Sequence, residues 1–166
     1  MEVAEIVEII ASHHCRLVEV TGGEPLIQEK TPALVTAFLQ RGFEVLLETN
    51  GTCCIEPIDT RCARIIDIKC PSSGEQDKTF WDNMGMLTAK DEIKFVIQEK
   101  GDYNYAMNII ARHRSILTSG CSILFSPVFG GLQPAVLAEW ILAVDLPVRM
   151  QVQLHKIIWD HCKTGV

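Results

Sequence analysis

Short apolar segments alternate with helical patterns along the chain, and this alternation constrains the fold more than any other feature. The segments have the length of buried strands and cover residues 17–20, 43–48, 64–68, 92–97, 122–125 and 148–153. Helical spacing predicts helices at residues 3–13, 31–40, 103–113 and 134–144. Strands separated by helices are typical of right-handed β-α-β units. We therefore predict an α/β fold with a parallel sheet of about six strands.

The chain is long enough for one hydrophobic core. It has 166 residues, of which 48% are hydrophobic, so we expect a single domain over residues 1–166. A net charge of -6 without a basic stripe argues against a nucleic-acid partner. Apolar runs are too short for a membrane span, and the first residues are acidic. These features predict a soluble, cytoplasmic protein.

The seven cysteines show no metal-binding pattern. No Cys-x2-Cys pair occurs, and an odd, scattered set does not form a disulfide framework. We expect all of them to be reduced residues that bind no metal, at positions 15, 53, 54, 62, 70, 121 and 162.

Polar motifs follow three successive predicted strands. They are Thr-Gly-Gly-Glu-Pro from Thr21, Thr-Asn-Gly-Thr from Thr49 and Lys-Cys-Pro-Ser-Ser from Lys69. The carboxyl ends of parallel strands meet at one edge, where ligands bind in such folds. We therefore expect one site built from these three loops. The polar stretch between Cys70 and Ala89 is predicted to be a long loop with one short helix, and loops of that length are often lids.

Each motif also has a purely structural interpretation. Gly22 and Gly23 let the backbone approach a ligand while the Glu24 carboxylate holds an ammonium, but Gly-Gly also suits a tight turn. Asn50-Gly51 is likewise a common turn dipeptide.

Two further groups of residues are candidates for ligand contact. Asp67 and Lys69 share a face of their strand, and Lys69 either meets a ligand or forms an ion pair with Glu24 or Glu48. His155 is expected at the end of the last strand, either as a ligand contact or as a strand cap.

The strings TGGEPLIQ, LLETNGT, DIKCPSSGE, DEIKFVI, FSPV and QLHKIIW together resemble the 7-carboxy-7-deazaguanine synthases of the radical S-adenosylmethionine superfamily. This resemblance covers almost the whole chain. It implies a partial parallel β/α barrel whose first strand and cluster loop are missing from this sequence.

The resemblance also implies a reaction. A reduced [4Fe-4S] cluster cleaves S-adenosylmethionine, and 6-carboxy-5,6,7,8-tetrahydropterin contracts to 7-carboxy-7-deazaguanine on the route to queuosine, a modified nucleoside of tRNA. Mg²⁺, a homodimer and a flavodoxin- or ferredoxin-type reductant are implied as well. No catalytic side chain is assigned, because the cofactor supplies the radical.

Site residues carry over at matching positions. Those implied to bind the cofactor are Gly22, Gly23, Glu24, Asn50, Ser72 and Ser73. Those implied to bind the pterin are Thr21, Glu48, Lys69, Ser126 and His155.

One family feature is absent from the sequence. The Cys-x3-Cys-x2-Cys loop occurs nowhere, so the ligands of the cluster and of Mg²⁺ are missing, and we expect an N-terminal truncation of an enzyme that is inactive without them. Two alternatives stay open: a cluster-free domain that binds pterins or nucleosides, and a radical activating enzyme for a protein partner.

Overall fold

The computed structural model describes residues 1–159, in which six strands form one parallel sheet. The strands pair with one another in chain order. They are β1 (Leu17–Val20), β2 (Glu44–Thr49), β3 (Ala63–Ile68), β4 (Glu92–Ile97), β5 (Ser122–Pro127) and β6 (Val148–Met150). When strands that are consecutive in the chain are also neighbours in a parallel sheet, their right-handed crossovers place the connecting helices on one face of the sheet. The α/β prediction is confirmed, and the sheet is open, with one face left for a site.

Four helices match the predicted ones with small shifts at their ends, and two short helices, at residues 115–118 and 154–158, were not predicted. They are α1 (Val3–Ala11), α2 (Thr31–Gln40), α3 (Lys100–Arg112), α4 (Ser115–Thr118), α5 (Pro134–Leu142) and α6 (Leu154–Ile158). No helix among residues 1–159 combines the length and the apolar character that crossing a membrane requires.

Strand residues that alternate along the chain form the core. Leu47, Ile66, Phe95 and Phe125 are all fully buried on the helix-covered face. Burying a side chain of this size contributes roughly 1.5–3 kcal/mol, so this face supplies most of the driving force for folding. The residues between them point to the opposite face, because successive side chains of a strand alternate.

The last strand is shorter than its sequence predicts. β6 stops at Met150, although the Gln151 N–H still donates to the Phe125 carbonyl. The next residues lead into α6, where the Trp159 N–H donates to the His155 carbonyl. The prediction that His155 caps or ends a strand is therefore wrong, because its backbone is helical and its side chain is exposed.

The long polar connection after β3 is partly packed into the fold. Three short 3-10 helices occur in it, at Pro71–Ser73, Gln76–Lys78 and Trp81–Met86. The buried Asn83 amide donates to the Cys53 carbonyl and accepts from the Ile55 N–H. The prediction of one short helix is therefore wrong, and Asn83 fixes this part of the segment to the loop after β2.

Candidate functional site

Charged side chains occupy the face of the sheet opposite the helices. Glu19 on β1, Glu48 on β2, Asp67 on β3 and Lys94 on β4 alternate with core residues along their strands. Lys69 follows β3 on the same side. We call these five residues the charged cluster.

Two ion pairs organise the cluster. Lys94 Nζ lies 2.8 Å from Glu48 Oε1, and Lys69 Nζ lies 2.6 Å from Asp67 Oδ2. The predicted ion pair of Lys69 with Glu24 or Glu48 is therefore wrong. Lys69 pairs with Asp67 instead, which lies two residues away on the same face. The pKa of Glu19 is raised above its usual value. Partial burial is the larger cause, and the neighbouring Glu48 carboxylate is the second.

Asp67 is incompletely satisfied. The residue is only 8% exposed, and its Oδ1 atom is buried without a hydrogen-bond partner among residues 1–159. Buried polar atoms are almost always paired, so an unpartnered carboxylate oxygen in a cleft marks a place where a donor is expected.

Glu24 ties the loop after β1 to the end of β2. Its carboxylate accepts hydrogen bonds from the Leu26 N–H at 2.9 Å, from the Thr49 hydroxyl at 2.9 Å and from the Asn50 N–H at 2.7 Å. The first function of Glu24 is thus to position two loops against each other. Thr49, which is fully buried, also accepts from the Gly51 N–H.

The two glycines before Glu24 line open space. Gly22 and Gly23 have φ values of 94° and 58°, which L side chains rarely adopt. A Cβ atom built on either of them would meet no atom within 4 Å. Their backbone groups therefore border a space that a ligand can enter.

The three predicted loops converge on two adjoining clefts. The first, of about 210 Å³, is lined by Thr21, Gly22, Gly23, Glu48, Thr49, Asn50, Asp67 and Lys69. The second, of about 170 Å³, shares Asp67 and Lys69 with it and contains Ser72 and Ser73. This convergence follows from the common edge at which parallel strands end.

The two serines of the second cleft differ in their hydrogen bonds. The Ser73 hydroxyl donates to the Cys70 carbonyl and accepts from the Glu75 N–H. The Ser72 backbone N–H donates to the buried Asp102 carboxylate. Ser73 therefore shapes the loop, and the Ser72 hydroxyl is the better candidate for a ligand contact.

Three predicted residues line neither cleft. Glu24 instead directs its carboxylate to the Leu26 N–H and to Thr49 and Asn50. Ser126 on β5 is 1% exposed and stands in register with Val96, but it lines neither cleft. His155 lies on α6 and lines neither cleft. A separate apolar cavity of about 290 Å³ lies between the loop after β5 and the chain around Gln153.

Sequence reasoning missed Lys94 as a member of the site. The alternation of Glu92, Ile93 and Lys94 repeats the pattern of Asp67, Ile68 and Lys69 on the neighbouring strand, and it could have identified this residue.

The six cysteines among residues 1–159 are not grouped as ligands of an iron-sulfur cluster. Burial raises the pKa of both Cys62 and Cys70 to about 12, so both are neutral thiols rather than the thiolates that bind iron. No three His, Cys, Asp or Glu side chains within residues 1–159 are grouped to hold a metal ion. Cys162 lies outside the described residues.

Comparisons with known proteins identify relatives by sequence. No family model matches the chain. It is 43% identical to the 7-carboxy-7-deazaguanine synthase of Chlorobaculum tepidum, over all of this chain and 76% of that protein. The synthase of Koribacter versatilis is 37% identical over 90% of this chain and 72% of its own length, and that of Methanospirillum hungatei is 35% identical over 95% and 65%.

A solved structure shows the same fold. The Streptococcus suis SuiB structure with bound S-adenosylmethionine superposes with a TM-score of 0.63, over 92% of this chain and 42% of that one, at 9% identity. The two proteins therefore share a fold, and the sequence relationships above are closer and more specific. At 43% and 37% identity over more than two thirds of the relatives' lengths, the chain belongs to the 7-carboxy-7-deazaguanine synthase family.

Proposed function

We propose that the two adjoining clefts bind S-adenosylmethionine and a pterin, and that the protein acts in the conversion of 6-carboxy-5,6,7,8-tetrahydropterin to 7-carboxy-7-deazaguanine. One observation carries this function beyond family membership. Glu24 fixes the glycine loop against Asn50, so that backbone groups, an amide and three members of the charged cluster, Glu48, Asp67 and Lys69, line the same cleft.

The cofactor is assigned to the glycine side of the first cleft. Gly22 and Gly23 offer backbone groups without a Cβ in the way, and these suit the methionine ammonium. The Asn50 side chain, which already accepts from the Thr52 N–H, keeps its amide N–H groups for the methionine carboxylate or the ribose. Ser72 in the second cleft suits a ribose hydroxyl. S-Adenosylmethionine bound here supplies radical chemistry, and the side chains hold it in place.

The pterin is assigned to the charged cluster. Glu48 can accept two parallel N–H bonds from the amidine-like edge of a pterin, as carboxylates do from guanidinium groups. Lys69 supplies a cation for the substrate carboxylate, and Thr21 lies in the same cleft. Ser126 and His155 are kept as pterin contacts on the family resemblance alone.

Other parts of this function rest on family membership. On this basis we propose that the protein is a cytoplasmic homodimer and that a flavodoxin- or ferredoxin-type protein donates electrons to it. The family also implies a [4Fe-4S] cluster and Mg²⁺, but the described cysteines and carboxylates do not fit these groups, and we assign no step to them.

Calorimetric titration tests the binding function. The wild-type chain is expected to bind S-adenosylmethionine and 6-carboxypterin, a stable relative of the substrate. Asn50→Ala is expected to weaken S-adenosylmethionine binding about 10-fold, the equivalent of a hydrogen bond to a charged group. Lys90→Met, on an exposed turn, is the control and leaves both affinities unchanged. Failure of the wild type to bind either ligand contradicts the proposed function.

A further inference from the structure

Lys94 pairs with a residue two strands away rather than with its neighbour. It stands in register with Asp67 on the adjacent strand β3. Its ammonium nevertheless lies 2.8 Å from Glu48 on β2. The side chain therefore crosses β3 above the sheet face to reach its partner.

The neighbour that Lys94 passes is the residue with an unused acceptor. Asp67 Oδ2 is held by Lys69, while Oδ1 is buried and has no partner in the part of the chain that the structure describes. A buried acceptor left unpaired is unfavourable, and a carboxylate oxygen is the acceptor that an ammonium prefers. A second position for the Lys94 ammonium is thus available on the adjacent strand.

Glu48 is the residue for which Lys94 and a bound ligand would compete. Its Oε1 atom already accepts from Lys94, and the Glu19 carboxyl lies beside it. A heterocycle with two parallel N–H donors needs both Glu48 oxygens. Such a ligand therefore competes with Lys94 for Oε1.

We propose that Lys94 is a positioning residue that moves from Glu48 to the free oxygen of Asp67 when a pterin takes Glu48. This exchange rests on the proposed function of the charged cluster. It leaves Glu48 and Lys94 hydrogen-bonded in both states: Lys94 donates to Glu48 in the free protein, and in the complex the ligand's N–H groups donate to Glu48 while Lys94 donates to Asp67. Ligands without two parallel N–H donors cannot replace Lys94 at Glu48. The exchange therefore favours the binding of ligands with a pterin-like N–H edge.

A double-mutant cycle tests the exchange, with 6-carboxypterin as the probe in calorimetric titrations. Asp67→Asn is expected to weaken probe binding about 10-fold when Lys94 is present and less than about 2-fold in the Lys94→Met background. Equal losses in both backgrounds overturn the exchange, because Asp67 would then act through Lys69 alone. Lys90→Met replaces Lys94→Met in the matched control cycle. In the Lys90→Met background, Asp67→Asn is expected to weaken probe binding by the same factor as in the wild type.

The wild-type protein provides an independent measurement if a variant does not fold. The side-chain NMR signals of Lys94 are expected to shift on addition of 6-carboxypterin, while those of Lys90 stay in place. Probe binding without a Lys94 shift overturns the exchange and leaves the proposed function standing. Absence of any probe binding by the wild type overturns both.

Discussion

Two groups of charged residues on the same strands are built in opposite ways. At the amino end of the sheet, Arg64 and Asp91 form an ion pair whose side chains are 3% and 0% exposed. Asp91 accepts from the Arg64 backbone and guanidinium and from both the N–H and the hydroxyl of Thr88. Arg64 also donates to the Met86 carbonyl. Both oxygens of this buried carboxylate are occupied.

At the carboxyl end of the sheet, the charged cluster is less complete. The Lys94 and Glu48 side chains keep 19% and 26% of their surface, and one Asp67 oxygen lacks a partner. Complete networks rigidify a fold, whereas open clefts with unsatisfied charges are where ligands bind. The difference assigns stability to the amino end and binding to the carboxyl end.

The largest expected effect is on the amino-end pair. Asp91→Asn leaves Arg64 buried without a counter-charge, which typically costs about 3 kcal/mol or more. Urea denaturation is expected to show this loss in the free energy of unfolding. Asp59→Asn, which removes the partly exposed partner of the exposed Arg61, is the control and is expected to cost much less, because solvent screens such a pair. A loss no greater than the control's would remove the distinction between the two ends.

Glu48→Gln is expected to have the reverse profile. The amide cannot accept two parallel N–H bonds, so 6-carboxypterin affinity should fall about 10- to 100-fold, the range for hydrogen bonds to charged groups. The free energy of unfolding should change by less than about 0.5 kcal/mol, because the side chain is partly exposed. Titration and urea denaturation of the same sample measure both values. A stability loss without a loss of binding would make Glu48 a structural residue.

Acid should affect the amino end through Asp91. Burial raises the pKa of Asp91, but hydrogen bonds from Arg64 and Thr88 outweigh burial and hold it below the usual 3.8. A lowered folded-state pKa gives stability that is present above pH 3.8 and is lost as the pH falls through the folded value. Such carboxylates titrate between roughly pH 5 and pH 2. Over this range the midpoint of urea denaturation should therefore fall more steeply for the wild type than for Asp91→Asn. Parallel curves would show that Asp91 does not carry this dependence.

The smallest expected effect is at Glu19. Its pKa is raised, so its contribution to stability is present below the unfolded value of 4.5 and is lost as the pH rises through the folded value. Glu19→Gln should thus stabilise the protein slightly at neutral pH, by about 0.3 kcal/mol, because the side chain is only partly buried and solvent screens most of the effect. Thermal unfolding at pH 7 and pH 4 checks this gain, which should disappear at the lower pH. Destabilisation at pH 7 would contradict the raised pKa.

Local sequence patterns predict the sheet better than they predict the contacts across it. β1 and β4 match their predicted limits because the apolar residues that face the core alternate along both strands. β6 does not, because residues 151–153 alternate like a strand although the chain has already turned towards α6. Gly23, Asn50 and Lys69 could be placed together because they follow three parallel strands that end at one edge.

The pairing of Lys94 with Glu48 could not be predicted in this way. It spans two strands, whereas the strand register places Lys94 beside Asp67. The partners of Glu24 are tertiary for the same reason, since they lie on a different strand end. The sequence thus indicates which residues share an edge, and the fold decides which of them are left free for a ligand.

The most direct test of this division is the amide NMR spectrum of the wild-type chain during titration with S-adenosylmethionine and 6-carboxypterin. Signals of Gly22, Gly23, Asn50 and Lys69 should shift, while those of Arg64 and Thr88 stay unchanged. Shifts centred on the amino end, or no shifts at the carboxyl end, would contradict the assignment of ligand binding to the charged cluster and its glycine loop.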